Sequence, residues 1–115
     1  MTHAIARCVG VRDFRDLICW QLSHELKCEV FEFTAIGPAS RDFKFRDQIR
    51  DSSASAASNI SEGWGRFRPR EIARYLEIAR ASLIETQNHL IDARDRGYLS
   101  TQLFSRACGT SRRPR

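Results

Sequence analysis

Arg66, Arg68, Arg70 and Arg74 crowd one short stretch of the chain. Glu71 is the only acid among them, so positions 66–74 carry a local charge of +3. Trp64 and Phe67 interleave with the arginines. Guanidinium forks match phosphate oxygens, and aromatic faces stack on bases, so these residue types suit contact with a nucleic acid. The same residues admit a plainer reading. In it the stretch is a solvated turn, Trp64 packs inward and Arg66 pairs with Glu62 one helical turn back. The residues by themselves favour the plainer reading.

Other constellations offer less chemistry. Asn59, Glu62 and Arg66 can be drawn as an active site, but the simpler role for Asn59 and Glu62 is to hydrogen-bond neighbouring helix ends and fix the turn. His3, His24 and His89 are scattered. His24 falls on an apolar stripe and reads as a core histidine. The spacing shows no nucleophile–base pair, no phosphate-cradling glycine loop and no metal-ligand pair at helical spacing. The expectation is a protein with no metal and no cofactor that is not an enzyme. Cys8, Cys19, Cys28 and Cys108 form no C-x-x-C pair. They are expected to be reduced thiols, with Cys19 and Cys28 buried in the first helix.

The 115 residues suit a single domain, and 42% hydrophobic content is enough for a core. A mean hydropathy of −0.45, with no long apolar run, argues against a membrane-spanning helix. The opening "MTHAIARCVGVRD" lacks the apolar core of a signal peptide, so a cytoplasmic location is expected. The net charge of +5 is concentrated at the ends. Setting aside Arg7, Arg12, Arg112, Arg113 and Arg115 leaves 14 of the 19 basic residues, which balance the 14 acidic ones. A basic composition therefore supports nucleic-acid binding only weakly. The expected organisation is a flexible arm over 1–12, a helical domain over 13–108 and a disordered basic tail over 109–115.

Apolar periodicity sets out the elements. A first helix is predicted over 14–33 with Asp13 as its N-cap. Ile18, Leu22, Leu26 and Val30 form one apolar stripe on it, and Leu17, Trp20, His24 and Phe31 form a second. Two stripes suit either a helix central to a bundle or one that also packs against another molecule. Glu25, Glu29 and Glu32 read as a solvated face. Gly37 and Pro38 break this helix. A second helix is predicted from about Asp42 to Glu62, with Phe45, Ile49, Ser53, Ala56 and Ile60 on its buried face. Its small Ser and Ala residues predict close approach of a neighbouring backbone, with serine hydroxyls bonding back to helix carbonyls. Gly63 and Gly65 are expected to end it with positive φ. A third helix runs from Pro69 to a C′ glycine at Gly97, with Ile72, Leu76, Ala79, Leu83 and Leu90 inward. Glu71–Arg74 and Glu77–Arg80 are spaced for ion pairs. Ser100 is placed to cap a short fourth helix. No strand pattern occurs, so the class is all-α.

Three stretches carry a family pattern: "FRDLICWQLSHEL", "NISEGWGR" and "REIARYLEIARASLIETQNHL". Together they resemble the four helix bundle proteins, first noticed as products of intervening sequences in bacterial 23S ribosomal RNA genes. The resemblance covers roughly 14–99. It rests most on Asn59, Ile60, Glu62, Gly63, Gly65 and Arg66, and on Ala79, Arg80, Ser82 and Glu85. It implies an antiparallel up-down four-helix bundle, here with a short fourth helix, and a ring-shaped homopentamer. The related accessory variability proteins of diversity-generating retroelements imply a basic surface that meets nucleic acid and a reverse transcriptase.

In such a topology the 66–74 cluster, both chain ends and their arginines converge. The expected function is a non-enzymatic accessory or scaffold protein that binds RNA or DNA through Arg66, Arg68, Arg70 and Arg74. Oligomers are expected to form through Leu17, Trp20, His24 and Phe31, while Asn59, Glu62, Gly63 and Gly65 shape the turn. The alternative is a protein–protein interaction module that docks through the second stripe of the first helix and has no nucleic-acid partner.

Overall fold

The computed structural model describes residues 12–100, 104, 105 and 107. The expected flexible arm (Arg12 excepted), the basic tail, Cys8, Cys108, His3 and most of the fourth helix lie outside the described residues. Those described are helical, with no strand among them. A 3₁₀ turn, Phe14–Asp16, precedes α1 (Ile18–Phe33), α2 (Gly37–Arg41), α3 (Phe43–Trp64) and α4 (Pro69–Asp95).

Asp13 does cap, but it caps less than expected. Its carboxylate accepts from the Arg15 N–H, and Asp16 reaches back to the Asp13 N–H, closing a reciprocal box around the 3₁₀ turn. Leu17 is then extended, so α1 starts at Ile18. α1 ends at Phe33, and Gly37 and Pro38, rather than only breaking the chain, are the first two residues of the short α2, where the missing Pro38 N–H costs nothing. Asp42 caps α3, its carboxylate accepting from the Phe45 N–H. Gly97, with φ 79°, follows the end of α4 as predicted.

The two long helices form an antiparallel hairpin whose centre is polar. Ser52 Oγ lies 2.8 Å from Thr86 Oγ1, and Ser82 Oγ donates to Ser55 Oγ at 2.9 Å. Ser52, Ser53 and Thr86 also bond carbonyls of their own helices. Each buried hydroxyl is therefore satisfied while the small side chains let the helices close. Phe45, Ile49, Ser53, Ala56 and Ile60 are all buried, as their periodicity predicts.

Gly63 corrects one expectation. It lies inside α3, and a Cβ there would meet Tyr75 Cβ at 3.3 Å. Its role is close packing against α4. Gly65, the C-cap, has φ −78°, so neither glycine uses positive φ.

α1 lies antiparallel on α3. Arg50 Nε donates to Thr34 Oγ1 at 2.8 Å, and Phe33 meets Phe45 with ring centres 6.5 Å apart. Leu26 and Val30 enter a core with Phe45, Ile49, Leu90, Ala93, Leu99 and Ala107. Phe104 and Ala107 are helical and touch this core, so the described part of the fourth helix closes it. Two stripe members fall elsewhere: Ile18 is 60% exposed and Leu76 is 45% exposed. Both lie near the end of the molecule that carries the α3–α4 turn, where no described helix covers them.

Candidate nucleic-acid interface

The α3–α4 turn is built around Arg66. Its Nη2 donates to Glu62 Oε2 at 2.8 Å and to the Tyr75 hydroxyl at 2.9 Å. Its guanidinium also lies over the Tyr75 ring, 4.9 Å from the centroid. The Glu62 hydrogen bond, followed by the Tyr75 oxygen, raises the Arg66 pKa above its ordinary value. One side chain thus ties the last turn of α3 to the second turn of α4. The plainer sequence reading describes Arg66 correctly, and Tyr75, which sequence reasoning passed over, is the third member of the clamp. An Arg nine residues before a Tyr, across a glycine turn, was the available signal.

The other three arginines differ. Arg68, Arg70 and Arg74 are exposed and form no ion pair among the described residues. The expected Glu71–Arg74 and Glu77–Arg80 pairs do not close. Glu71 instead acts on Arg66 through space. Arg68 is the N-cap of α4, and no side chain caps that end. The first turn of a long helix therefore adds partial positive charge beside Arg68 and Arg70. Phe67 stands at the tip and is 87% exposed, whereas Trp64 is half-buried. Gly65, Arg66, Phe67, Arg68 and Glu71 surround an open hollow of ≈ 390 Å³. The pairing of α1 with α3 carries the 3₁₀ turn, with Arg12 and Arg15, towards this same end. Arg15 there pairs with Asp13 at 2.8 Å.

Asn59 does not reach a neighbouring helix end. Its amide donates to Ser55 O and Oγ within α3. Glu62 fixes the turn through Arg66.

The second α1 stripe lies on the outer face. Trp20 stacks on His24 with centroids 4.7 Å apart and planes 9° from parallel, and Phe14 meets the Trp20 edge at 5.3 Å. Phe31 is exposed between Lys27 and Arg50. Leu17 is half-buried. His24 is therefore not a core histidine. Cys19 and Cys28 are exposed rather than buried: Cys28 turns away from the buried Leu26 face, whereas Cys19 lies on that face but in the first turn of α1, next to the exposed Ile18. Cys28 Sγ lies 3.6 Å from His24 Nε2. That is a pair of ligand-type residues one turn apart, which the sequence reading missed. Among the described residues no group of three or more His, Cys, Asp or Glu side chains could hold a metal ion.

The enclosed space is small. A void of ≈ 30 Å³ lies between Glu29, Val30, Glu32, Phe33, Leu90, Leu99 and Ala107, about enough for one water. Among the described residues no helix is long and apolar enough to cross a membrane.

The family profile of the 23S rRNA-intervening sequence protein matches residues 15–111. No curated protein matches the chain. The matched segment takes in α1 to α4 and the Arg66-clamped turn, and on that extent the chain belongs to the 23S rRNA-intervening sequence protein family.

Proposed function

We propose that this is a non-enzymatic, oligomeric helical-bundle protein that binds nucleic acid through the basic end around the α3–α4 turn. The observation that carries the proposal is the division of labour among four arginines. Arg66 is spent on holding the turn, while Arg68, Arg70 and Arg74 stand exposed without an acidic partner among the described residues. Charges left unpaired on a braced turn need no reorganisation to meet a polyanion. The family's connection with 23S rRNA makes RNA the first ligand to test.

The finer picture is an up-down four-helix bundle with a short fourth helix, assembled as a cytoplasmic ring of five. Leu17, Trp20, His24 and Phe31 on the outer face of α1 would be one side of the interface. Exposed Leu76, Ile84 and Ile91 recur along α4 and offer a second apolar strip. In a ring, several weak basic patches act on one strand, and avidity raises affinity without new contacts. The basic end would then serve an accessory or scaffold role, with a reverse transcriptase as a candidate protein partner.

Light scattering reads the assembly, and fluorescence anisotropy with labelled RNA and DNA reads the binding. Replacing Arg68, Arg70 and Arg74 together by alanine should weaken binding strongly and leave helicity and particle mass unchanged. Absence of binding by the wild-type protein at low salt defeats the proposal. A monomeric particle defeats its oligomeric part.

The exposed apolar strips of α1 and α4 favour a second reading, a protein–protein module without nucleic acid. Salt separates the two. Polyanion binding weakens as ionic strength rises, whereas an apolar interface hardly responds.

A further inference from the structure

We propose that the α3–α4 turn selects single-stranded over double-stranded nucleic acid by stacking one unpaired base on Phe67. The inference rests on the polyanion-binding reading above and narrows its ligand class. Phe67 is 87% exposed, more than any other large apolar residue described. It makes no ring or cation–π contact with the described residues. A phenylalanine left in water forgoes the burial that normally decides where this residue sits. The fold gains nothing from it there, since Arg66, Glu62 and Tyr75 already hold the turn.

Its surroundings point to a base. Arg66 and Arg68 are its chain neighbours, and the hollow beside it measures ≈ 390 Å³. The hollow is open to solvent, with room for a flat ring beside Phe67. Glu71 lines the same hollow. A phosphate placed there would meet its carboxylate. A neutral base would not, and an exocyclic amine of adenine, cytosine or guanine could donate to it. Phosphates belong at the rim of the hollow, against Arg68, and outside it against Arg70 and Arg74, which stand one turn apart on α4.

This arrangement has no use for a duplex. Paired bases are already stacked on one another, and the major groove of an RNA helix is too deep and narrow for a side chain to read. Only a splayed base exposes the face that Phe67 could cover. Trp64, half-buried, cannot supply a second platform without leaving its place. The site therefore takes one stacked base per chain.

The test compares a short labelled RNA strand, the same strand in a duplex, and the two DNA counterparts, using the full chain at one low salt concentration. Anisotropy should show the single strands binding more tightly than the duplexes. Phe67→Ala should weaken single-strand binding about tenfold, the factor for loss of one stacked base, and leave duplex binding unchanged. Phe67→Trp should restore affinity, and its added fluorescence, measured against the background of Trp20 and Trp64, should be quenched by single strands. Circular dichroism of Phe67→Ala should match the wild type, because the ring supports no packing. Equal affinity for strand and duplex, or unchanged single-strand binding by Phe67→Ala, overturns the inference. If the Arg68, Arg70 and Arg74 variant still loses binding in that case, the polyanion reading stands without it. Loss of self-association by Phe67→Ala would assign the ring to a protein contact and also overturn it. If the wild type binds none of the four probes, the function reading fails with it.

Discussion

Charge already neutralised inside the protein cannot release counterions from a bound strand. This makes the four arginines separable by salt. Arg66 is held by Glu62 at 2.8 Å, so the two together present no net charge. Arg68, Arg70 and Arg74 present three. On a single strand each neutralised phosphate contributes ~0.7 to the negative slope of log K against log salt. Three free arginines therefore contribute ~2 per chain engaged. Between about 50 and 200 mM salt that slope lowers affinity roughly 20-fold. The perturbation is a matched pair of variants. Replacing Arg68, Arg70 and Arg74 by alanine should flatten the slope by ~2, and each single replacement should flatten it by ~0.7. The double variant Glu62→Gln, Arg66→Gln removes two charges of opposite sign and should leave the slope unchanged, whatever the looser turn does to affinity. Anisotropy across a salt series measures the slopes, and circular dichroism confirms that each variant is folded. The reasoning is refuted if the Glu62, Arg66 double variant flattens the slope as much as the triple variant does. It is equally refuted if the triple variant keeps the wild-type slope.

Two further outcomes follow from the fold. Ser52→Ala and Thr86→Val should show a coupling of ~0.5–1.5 kcal/mol in a double-mutant cycle measured by urea unfolding, because their hydroxyls meet at 2.8 Å in a buried seam; additive effects would mean that the seam is held by the helix carbonyls alone. Asp42 accepts from the Tyr98 hydroxyl at 2.8 Å, from the Phe45 N–H and from Arg96, which together hold its pKa below the ordinary 3.8. A carboxylate whose folded pKa is depressed stabilises the fold above its unfolded value, and that stability is lost as pH falls through the folded one. Asp42→Asn should therefore be less stable than the wild type at neutral pH, and the gap should shrink below about pH 4, as read from urea midpoints across the acid range; a gap independent of pH would show that ionisation of Asp42 contributes nothing.

The sequence by itself determined the three long helices, their order and most of their inward faces, though not the short α2. Period and punctuation are local properties, and Asp42, Pro69 and Gly97 mark boundaries because capping and positive φ depend on a few adjacent residues. The run of serine and alanine in α3 likewise announced a close helix contact, since nothing else explains so little volume on a buried face. What needed the tertiary structure was every assignment that depends on which neighbour arrives. Gly63 reads as a turn glycine until Tyr75 Cβ is placed beside it. Ile18 and Leu76 read as core until no described helix covers them, and Cys19 and Cys28 read as buried until the folded chain leaves both exposed. The basic turn shows the same division. Spacing already offers the Glu62–Arg66 pair, but only the approach of Tyr75 from α4 makes Arg66 a clamp between two helices, and only the folded chain leaves Arg68, Arg70 and Arg74 without an acidic partner among the described residues. Spacing fixes the face of a helix on which a side chain lies, but burial and pairing depend on distances between elements that no local pattern contains.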